Sequence, residues 1–300
     1  PGSCYQKRLL GVGEFWTVIS YLGGGILGYQ NHELACKHCA ALFLVKPSVG
    51  FIPKIEYRNA TISFVESNGS LYGITCKHVI EELRKKKEEL DDPNLCFATI
   101  VNRNVFILDR FQFPPPAGLF VGRPPDLAIR QLHPKLCESV GKQPFSFSKS
   151  SDLIGSGTKR ALAVGYPEEL KATQETMNLP GHQVKMPCVH ALSEVSGVGS
   201  EDLTLFSELS TRPEAISLSG MSGGPIFWSE ANSYGLLGIT KQALPTESDV
   251  ADGLGEKPRI SIIGQRITYD LFDGWVRQLG IDKNQFHDEL MNITLNISLP

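Results

Sequence analysis

Several features are missing from this chain of 300 residues. It has no excess of basic charge. The 29 Lys and Arg face 32 Asp and Glu, for a formal net charge of -3, which argues against a nucleic-acid footprint. It has no repeat of fixed period and no low-complexity tract. It lacks the uninterrupted apolar run of roughly 20 residues that a membrane span needs. The nearest approach runs from Phe15 to Gly28, behind Lys7, Arg8 and Glu14, and Gly23 to Gly25 weaken it as a helix. It reads as a packed N-terminal extension rather than an anchor. Cysteine lacks a pattern: Cys4, Cys36, Cys39, Cys76, Cys96, Cys137 and Cys188 are odd in number and irregular in spacing. That does not describe a disulfide framework. Reduced thiols imply a cytoplasmic protein. Asn-x-Ser/Thr sequons at Asn59, Asn68, Asn292 and Asn296 pull towards the alternative, a periplasmic or secreted one.

What the chain does have is turn-forming residues and short apolar runs. Apolar residues make up 41% and charged residues 20%, ordinary for a soluble globular chain, and the 29 glycines and 19 prolines suit a fold with many turns. From Ala40 onward, "ALFLV", "TISFVES", "LYGITC", "CFATIVN", "NVFILDRFQF" and "DLAIRQL" have strand length and strand composition. A Gly/Ser-rich crossing, "GKQPFSFSKSSDLIGSGT", precedes a second series: "RALAVGYP", "HQVKMPCVHAL", "DLTLFSEL", "SGGPIFW", "YGLLGIT" and "RISIIGQRI". Two segments read as helices, "VIEELRKKKEEL" with its charges at mutually supporting spacing and the amphipathic "TYDLFDGWVRQLG". "NITLNISL" alternates with period two and reads as a last edge strand. Many short strands with few helices indicate an all-β sandwich or a pair of barrels. Pro1 to Ser3 read as an artificial leader and are set aside.

The stretch "SLSGMSGGPIFW" surrounds one hydroxyl, Ser222, with Gly220, Gly223 and Gly224. Gly220 allows a backbone conformation that other residues resist, and Gly223 and Gly224, by removing side chains beside the serine, are expected to keep the approach of a substrate clear. A serine hydroxyl is a weak nucleophile unless a base adjoins it. "GITCKHVIEEL" supplies His78 at the end of a strand, and imidazole titrates near neutral pH. "RPPDLAIRQL" supplies Asp126, an acid that can fix the tautomer of the ring. Taken singly, each has a plain structural alternative: a histidine at a helix start, an acid in a Pro-led turn, a serine in a turn. The three together, in this order and context, point to nucleophilic catalysis.

These motifs resemble those of the chymotrypsin/trypsin-like serine peptidases. "ITCKHVI" is similar to the family's His motif, "PDLAI" to its Asp motif and "GMSGGPIF" to its Ser motif. The closer likeness is to bacterial trypsin-like, HtrA-type peptidase domains, and it runs from about Ala40 to Gly280. The resemblance implies two antiparallel Greek-key β-barrels and a C-terminal helix. Residues 1–39 would then be an extension and 40–282 the peptidase domain. Barrel one would span about 40–140, barrel two about 155–268 and the helix 268–280, leaving 283–300 as a tail. It also implies a serine endopeptidase: Ser222 as nucleophile, His78 as general base, Asp126 as its orienter, and the N–H groups of Gly220 and Ser222 as the oxyanion hole. The partners implied are a protein or peptide substrate and a possible regulatory protein. A trypsin-like binding or sensor module with a silent or gated triad is the alternative.

The chain departs from the digestive branch of that family at Met221, where an Asp would bind a freshly cut N-terminus, and it has no matching activation site. Ile216 stands where the family places the base of the primary specificity pocket, which favours an apolar or small residue before the cut bond. Lys241 and Gln242 are candidates for the pocket wall and would admit a polar or acidic one. The motif "CKHC", Cys36 to Cys39 with His32 and His38 nearby, raises the question of zinc. A lone CxxC lacks a second ligand pair, so these thiols read as buried and idle, and no metal or cofactor is assigned.

Overall fold

The chain was described from a computed structural model, which covers residues 16–19, 34–46, 58–101, 104–116, 124–149, 160–175, 182–208, 218–230, 233–246 and 259–281. The Ile216 pocket base, His32, the sequons at Asn292 and Asn296 and the last expected strand lie outside these residues. So does most of the N-terminal extension.

The architecture is mostly β, in two sheets. The first begins with β2 (Cys39–Val45), β3 (Asn59–Ser67) and β4 (Ser70–Thr75) and adds β5 (Cys96–Val101), β6 (Asn104–Ile107), β7 (Ala128–Leu132) and β8 (Phe145–Ser146). Its order is β6-β5-β2-β3-β4-β7, with β8 paired in parallel to β3. This is a half-barrel, and the chain after β6 reaches β7 through a single bridge from Gln112 to Ile129. The second sheet contains β9 (Arg160–Gly165), β12 (Cys188–Val198), β13 (Asp202–Glu208), β14 (Pro225–Glu230), β15 (Ser233–Thr246) and β16 (Arg259–Arg266). Because β12 pairs with β9 as well as with β13, this sheet closes into a barrel of those strands. A further strand, β1 (Trp16–Ile19), adds in parallel to β12. A small hairpin of β10 (Ala172–Glu175) and β11 (His182–Lys185) stands apart. The mostly β architecture and the C-terminal helix expected from the motifs are therefore present, and of the two barrels one is closed and the other is a half-barrel.

Helix α1 (Lys77–Glu89) follows β4 and buries Val79, Ile80 and Leu83, while its charges pair on the outer face, as at Lys77 and Glu81. A short helix, α2 (Leu136–Ser139), lies between β7 and β8. Helix α3 (Tyr269–Gln278) is capped by the Thr268 hydroxyl, which accepts from the Leu271 N–H. It leaves the closed barrel and crosses back to the half-barrel. There Phe272 packs edge-on against Tyr72 and against Phe147. Among the described residues no helix is long and apolar enough to cross a membrane.

Strand β3 decides how the two sheets meet. Its sequence, Asn-Ala-Thr-Ile-Ser-Phe, alternates as a half-solvated strand would. Yet it is buried from Asn59 to Val65. Ala60, Ile62 and Phe64 enter the hydrophobic core, while the polar face packs against the closed barrel. The Asn59 amide donates to the Tyr166 carbonyl, and the Thr61 and Ser63 hydroxyls donate to Gly220 O and Gly223 O. Burial at this contact excludes a glycan on Asn59 in the folded chain. Beside the contact, Phe227 of β14 packs against Phe145 of β8 and Tyr234 of β15, with His38 alongside.

Phe227 is 1% exposed and joins both sheets. Phe227→Ala is expected to cost about 3–5 kcal/mol. Urea unfolding should show a lowered midpoint with an unchanged m-value, and a loss below about 1 kcal/mol would mean that the cluster does not couple the sheets.

Candidate active site

His78 sits in the first turn of α1, where backbone N–H groups have no partner within the helix. Cys76, at the N-cap, makes no side-chain cap. Asp126, in the turn before β7, supplies what is missing. Its Oδ1 accepts the His78 backbone N–H at 3.0 Å and its Oδ2 accepts the ring Nδ1–H at 2.6 Å. One carboxylate thus grips one histidine twice, and the helix N-terminus favours its negative charge. The grip fixes the ring with Nδ1 protonated and leaves Nε2 as the basic nitrogen. Asp126 is itself held from the other sheet. Its backbone N–H donates to Gln265 Oε1 of β16, and Gln265 donates onward to the Glu201 carbonyl.

The electrostatics follow from this geometry. Burial disfavours the charged imidazolium, but the hydrogen bond and charge of Asp126, assisted by Glu82, outweigh it and raise the His78 pKa above the usual 6.5. Burial likewise pushes Asp126 upward, and its bonds to His78 overcome that and hold the carboxyl below the ordinary range.

Ser222 lies in the turn between residues 218 and 224. Gly220 and Gly223 adopt φ of +96° and +91°, conformations that glycine takes without strain. The glycines serve packing rather than an open path for substrate. A Cβ on Gly223 would stand 2.0 Å from Thr61 O and 2.2 Å from Thr75 Oγ1, and one on Gly224 would stand 1.9 Å from Val164 O. This corrects the expectation that Gly223 and Gly224 clear the approach to Ser222: they let the turn press against β3, β4 and β9. Met221 is buried under the turn, where a Cβ on Gly165 would meet its Cα at 2.9 Å. An apolar contact therefore fills the place where the sequence motif of the digestive peptidases would put an ion pair.

The turn and the histidine converge on β15. The Thr240 carbonyl accepts from both the Gly223 N–H and the Cys76 thiol, residues adjacent to or two away from Ser222 and His78. The Ser222 hydroxyl donates to the Lys241 carbonyl at 2.9 Å. The oxyanion-hole candidates are set by peptide planarity. The Ser219 carbonyl accepts from Glu168 N–H and the Met221 carbonyl from Gly224 N–H. In a trans peptide C=O and N–H point to opposite sides. The Gly220 and Ser222 N–H groups are thereby turned away from those contacts, and among the described residues neither donates to a backbone carbonyl.

Of the pocket candidates, Lys241 pairs its ammonium with Asp202 at 2.9 Å, and Gln242 is exposed. Sequence reasoning missed Gln265, Thr61 and Ser63, which hold the site without touching its reactive atoms. No signal along the chain marks them, since each looks like a polar residue on the outward face of a strand.

No family model matches the chain, and no curated protein does. Among solved structures, it is similar to AL20, a thermostable serine protease from an extremophilic microorganism. Identity is 12%, coverage is 82% of this chain and 98% of that one, and the TM-score is 0.44. It is also similar to a chain solved in work on aromatic interactions driving the coupled folding and binding of the intrinsically disordered Sesbania mosaic virus VPg protein. There, identity is 12%, coverage is 76% of this chain and 85% of that one, and the TM-score is 0.37.

Two expectations follow. Titration of the histidine ring signals by NMR should place His78 above 6.5, and Asp126→Asn should lower it, because the charge that stabilises the imidazolium is gone. An unmoved titration in Asp126→Asn would show that the carboxylate does not set the charge of the ring. Gly223→Ala should destabilise the chain by about 2–5 kcal/mol, combining left-handed strain with overpacking. Full stability on chemical denaturation would mean that the turn does not press on β3 as described.

Proposed function

We propose that this chain is a serine endopeptidase acting through His78, Asp126 and Ser222. The observation that carries the reading is the double grip of Asp126 on His78, at 2.6 and 3.0 Å, with the glycine-flanked serine turn and the start of the histidine helix both bonded to the Thr240 carbonyl. Ser222 Oγ attacks the carbonyl carbon of the scissile peptide as its proton passes to His78 Nε2. The new imidazolium is stabilised by the Asp126 carboxylate, which stays ionised. The oxyanion is met by the N–H groups of Gly220 and Ser222. Collapse breaks the C–N bond, His78 protonates the leaving amine, and the acyl group remains on Ser222. Water, deprotonated by His78, then releases the acid and regenerates the serine.

Because Met221 seats the nucleophile turn by apolar packing, no newly cut N-terminus is needed to order it. The motifs favour a bacterial, HtrA-like enzyme working in a reducing compartment. Ile216 points to an apolar or small residue before the cut bond, and the pairing of Lys241 with Asp202 weakens the case for an acidic one.

A second reading is supported by the bond from the Ser222 hydroxyl to the Lys241 carbonyl. If that bond persists until a partner arrives, the chain is a gated sensor or binding module. A fluorophosphonate probe separates the two. The enzyme reading expects covalent modification mapped to Ser222, absent in Ser222→Ala and slowed on the order of 10⁴-fold in Asp126→Asn. Absence of labelling at Ser222 under every condition would overturn it in favour of the binding module.

A further inference from the structure

The CxxC motif, incomplete along the chain, acquires a second pair of ligands in the fold. A helical turn at 34–36 is closed by Lys37 N–H to Leu34 O and His38 N–H to Ala35 O, and it delivers Cys36 and Cys39 to the start of β2. Cys188 opens β12 and His190 follows at i+2, so both point to the same face of the strand. Cys36 Sγ lies 2.5 Å from His190 Nε2, across a separation of 154 residues in the chain. The ligand atoms of Cys36, Cys188 and His190 all lie within 4.8 Å of one another. The Cys39 thiol, 4.0 Å from the Cys36 carbonyl oxygen, borders this group as a fourth donor. All four residues are at most 1% exposed.

We propose that Cys36, Cys39, Cys188 and His190 bind one zinc ion as a structural site that staples the half-barrel to the closed barrel. Three sulfurs and one imidazole nitrogen are a complete tetrahedral donor set with no position left for a substrate, the pattern of structural zinc. With Zn–S near 2.3 Å and Zn–N near 2.0–2.1 Å, tetrahedral ligand atoms stand about 3.5–3.8 Å apart. Cys36, Cys188 and His190 hold their ligand atoms within 4.8 Å of one another, and seating the ion opens the Cys36–His190 contact by about 1 Å and draws Cys39 in.

Charge supports the assignment. Three thiolates on a divalent cation leave one net negative charge in the interior. Lys142, 5% exposed, brings an ammonium to the same place, donating to the Cys36 carbonyl at 3.1 Å and to the Tyr166 hydroxyl at 3.2 Å. A net negative zinc-thiolate group is a favourable neighbour for that buried ammonium. The other histidine of the motif, His38, is used elsewhere: it bonds the Gln143 carbonyl and the Tyr234 hydroxyl. The cysteines expected to be idle thus gain a function from the strand that the closed barrel places over them. The site stands apart from the peptidase chemistry, and its readout does not need activity.

The test uses the full chain, expressed with zinc and purified under reducing conditions. Elemental analysis should find about one zinc per chain. Replacement with Co(II) should give the intense visible bands of a tetrahedral site and sulfur-to-metal charge transfer in the near ultraviolet. Cys188→Ser and His190→Ala should lose both signals, whereas Cys96→Ser, Cys137→Ser and Ser222→Ala should keep them. Retention in Ser222→Ala separates this proposal from the peptidase reading. If the ligand variants do not fold, Co(II) titration of the reduced, metal-stripped wild-type chain decides alone. No stoichiometric metal together with no tetrahedral spectrum overturns the proposal, and so does a Cys36–Cys188 disulfide found in unreduced protein.

Discussion

The arrangement depends on one set of hydrogen bonds. The turn that carries Ser222 belongs to the closed barrel, yet its carbonyls are satisfied by β3 of the half-barrel. Thr61 Oγ1 donates to Gly220 O, the Thr61 N–H to Ser222 O, and Ser63 Oγ to Gly223 O. A turn this tight has no internal partners for those groups, and leaving them buried and unpaired would cost on the order of 1–3 kcal/mol each. Docking the two sheets is therefore what makes the turn stable. The Thr61 hydroxyl also accepts the Tyr166 N–H, so the same side chain ties the end of β9 into the contact.

The histidine side obeys the same logic in reverse. His78 and Asp126 both belong to the half-barrel, but Gln265 of the closed barrel fixes Asp126 and the Thr240 carbonyl of β15 receives Cys76. Each half of the site is thus held by the other sheet. These groups are oriented by the folding of the two sheets against each other. The aromatic group around Phe227 and the Cys36–Cys188–His190 cluster lie on the same boundary between the sheets. Polar, aromatic and thiol contacts therefore share the work of holding one interface.

Glycine shows how a residue can be noticed for one reason and needed for another. Gly223 and Gly224 stand out in the sequence as missing side chains beside a serine. In the fold the missing Cβ atoms face inward, where Thr61 O and Val164 O already occupy the space. Met221 follows the same pattern: its place in the motif excludes an ion pair, and burial shows that apolar packing takes over.

The places of most strands, the two longer helices and the all-β class were legible in the sequence because they rest on local period and composition, which neighbouring residues determine among themselves. His78, Asp126 and Ser222 could be singled out as candidates because each lies in a short, chemically distinctive stretch. The partners of those residues could not. The polar face of β3 reads as solvent-facing by period, and only the docking of a second barrel buries it. Gln265 looks like any outward residue of β16 until Asp126 arrives from a distant stretch of the chain. Cys36 and His190 have no local relation at all. Side chains so far apart in sequence meet only when the sheets form and dock, and that is decided by the burial of the half-barrel and the closed barrel together rather than by any one segment.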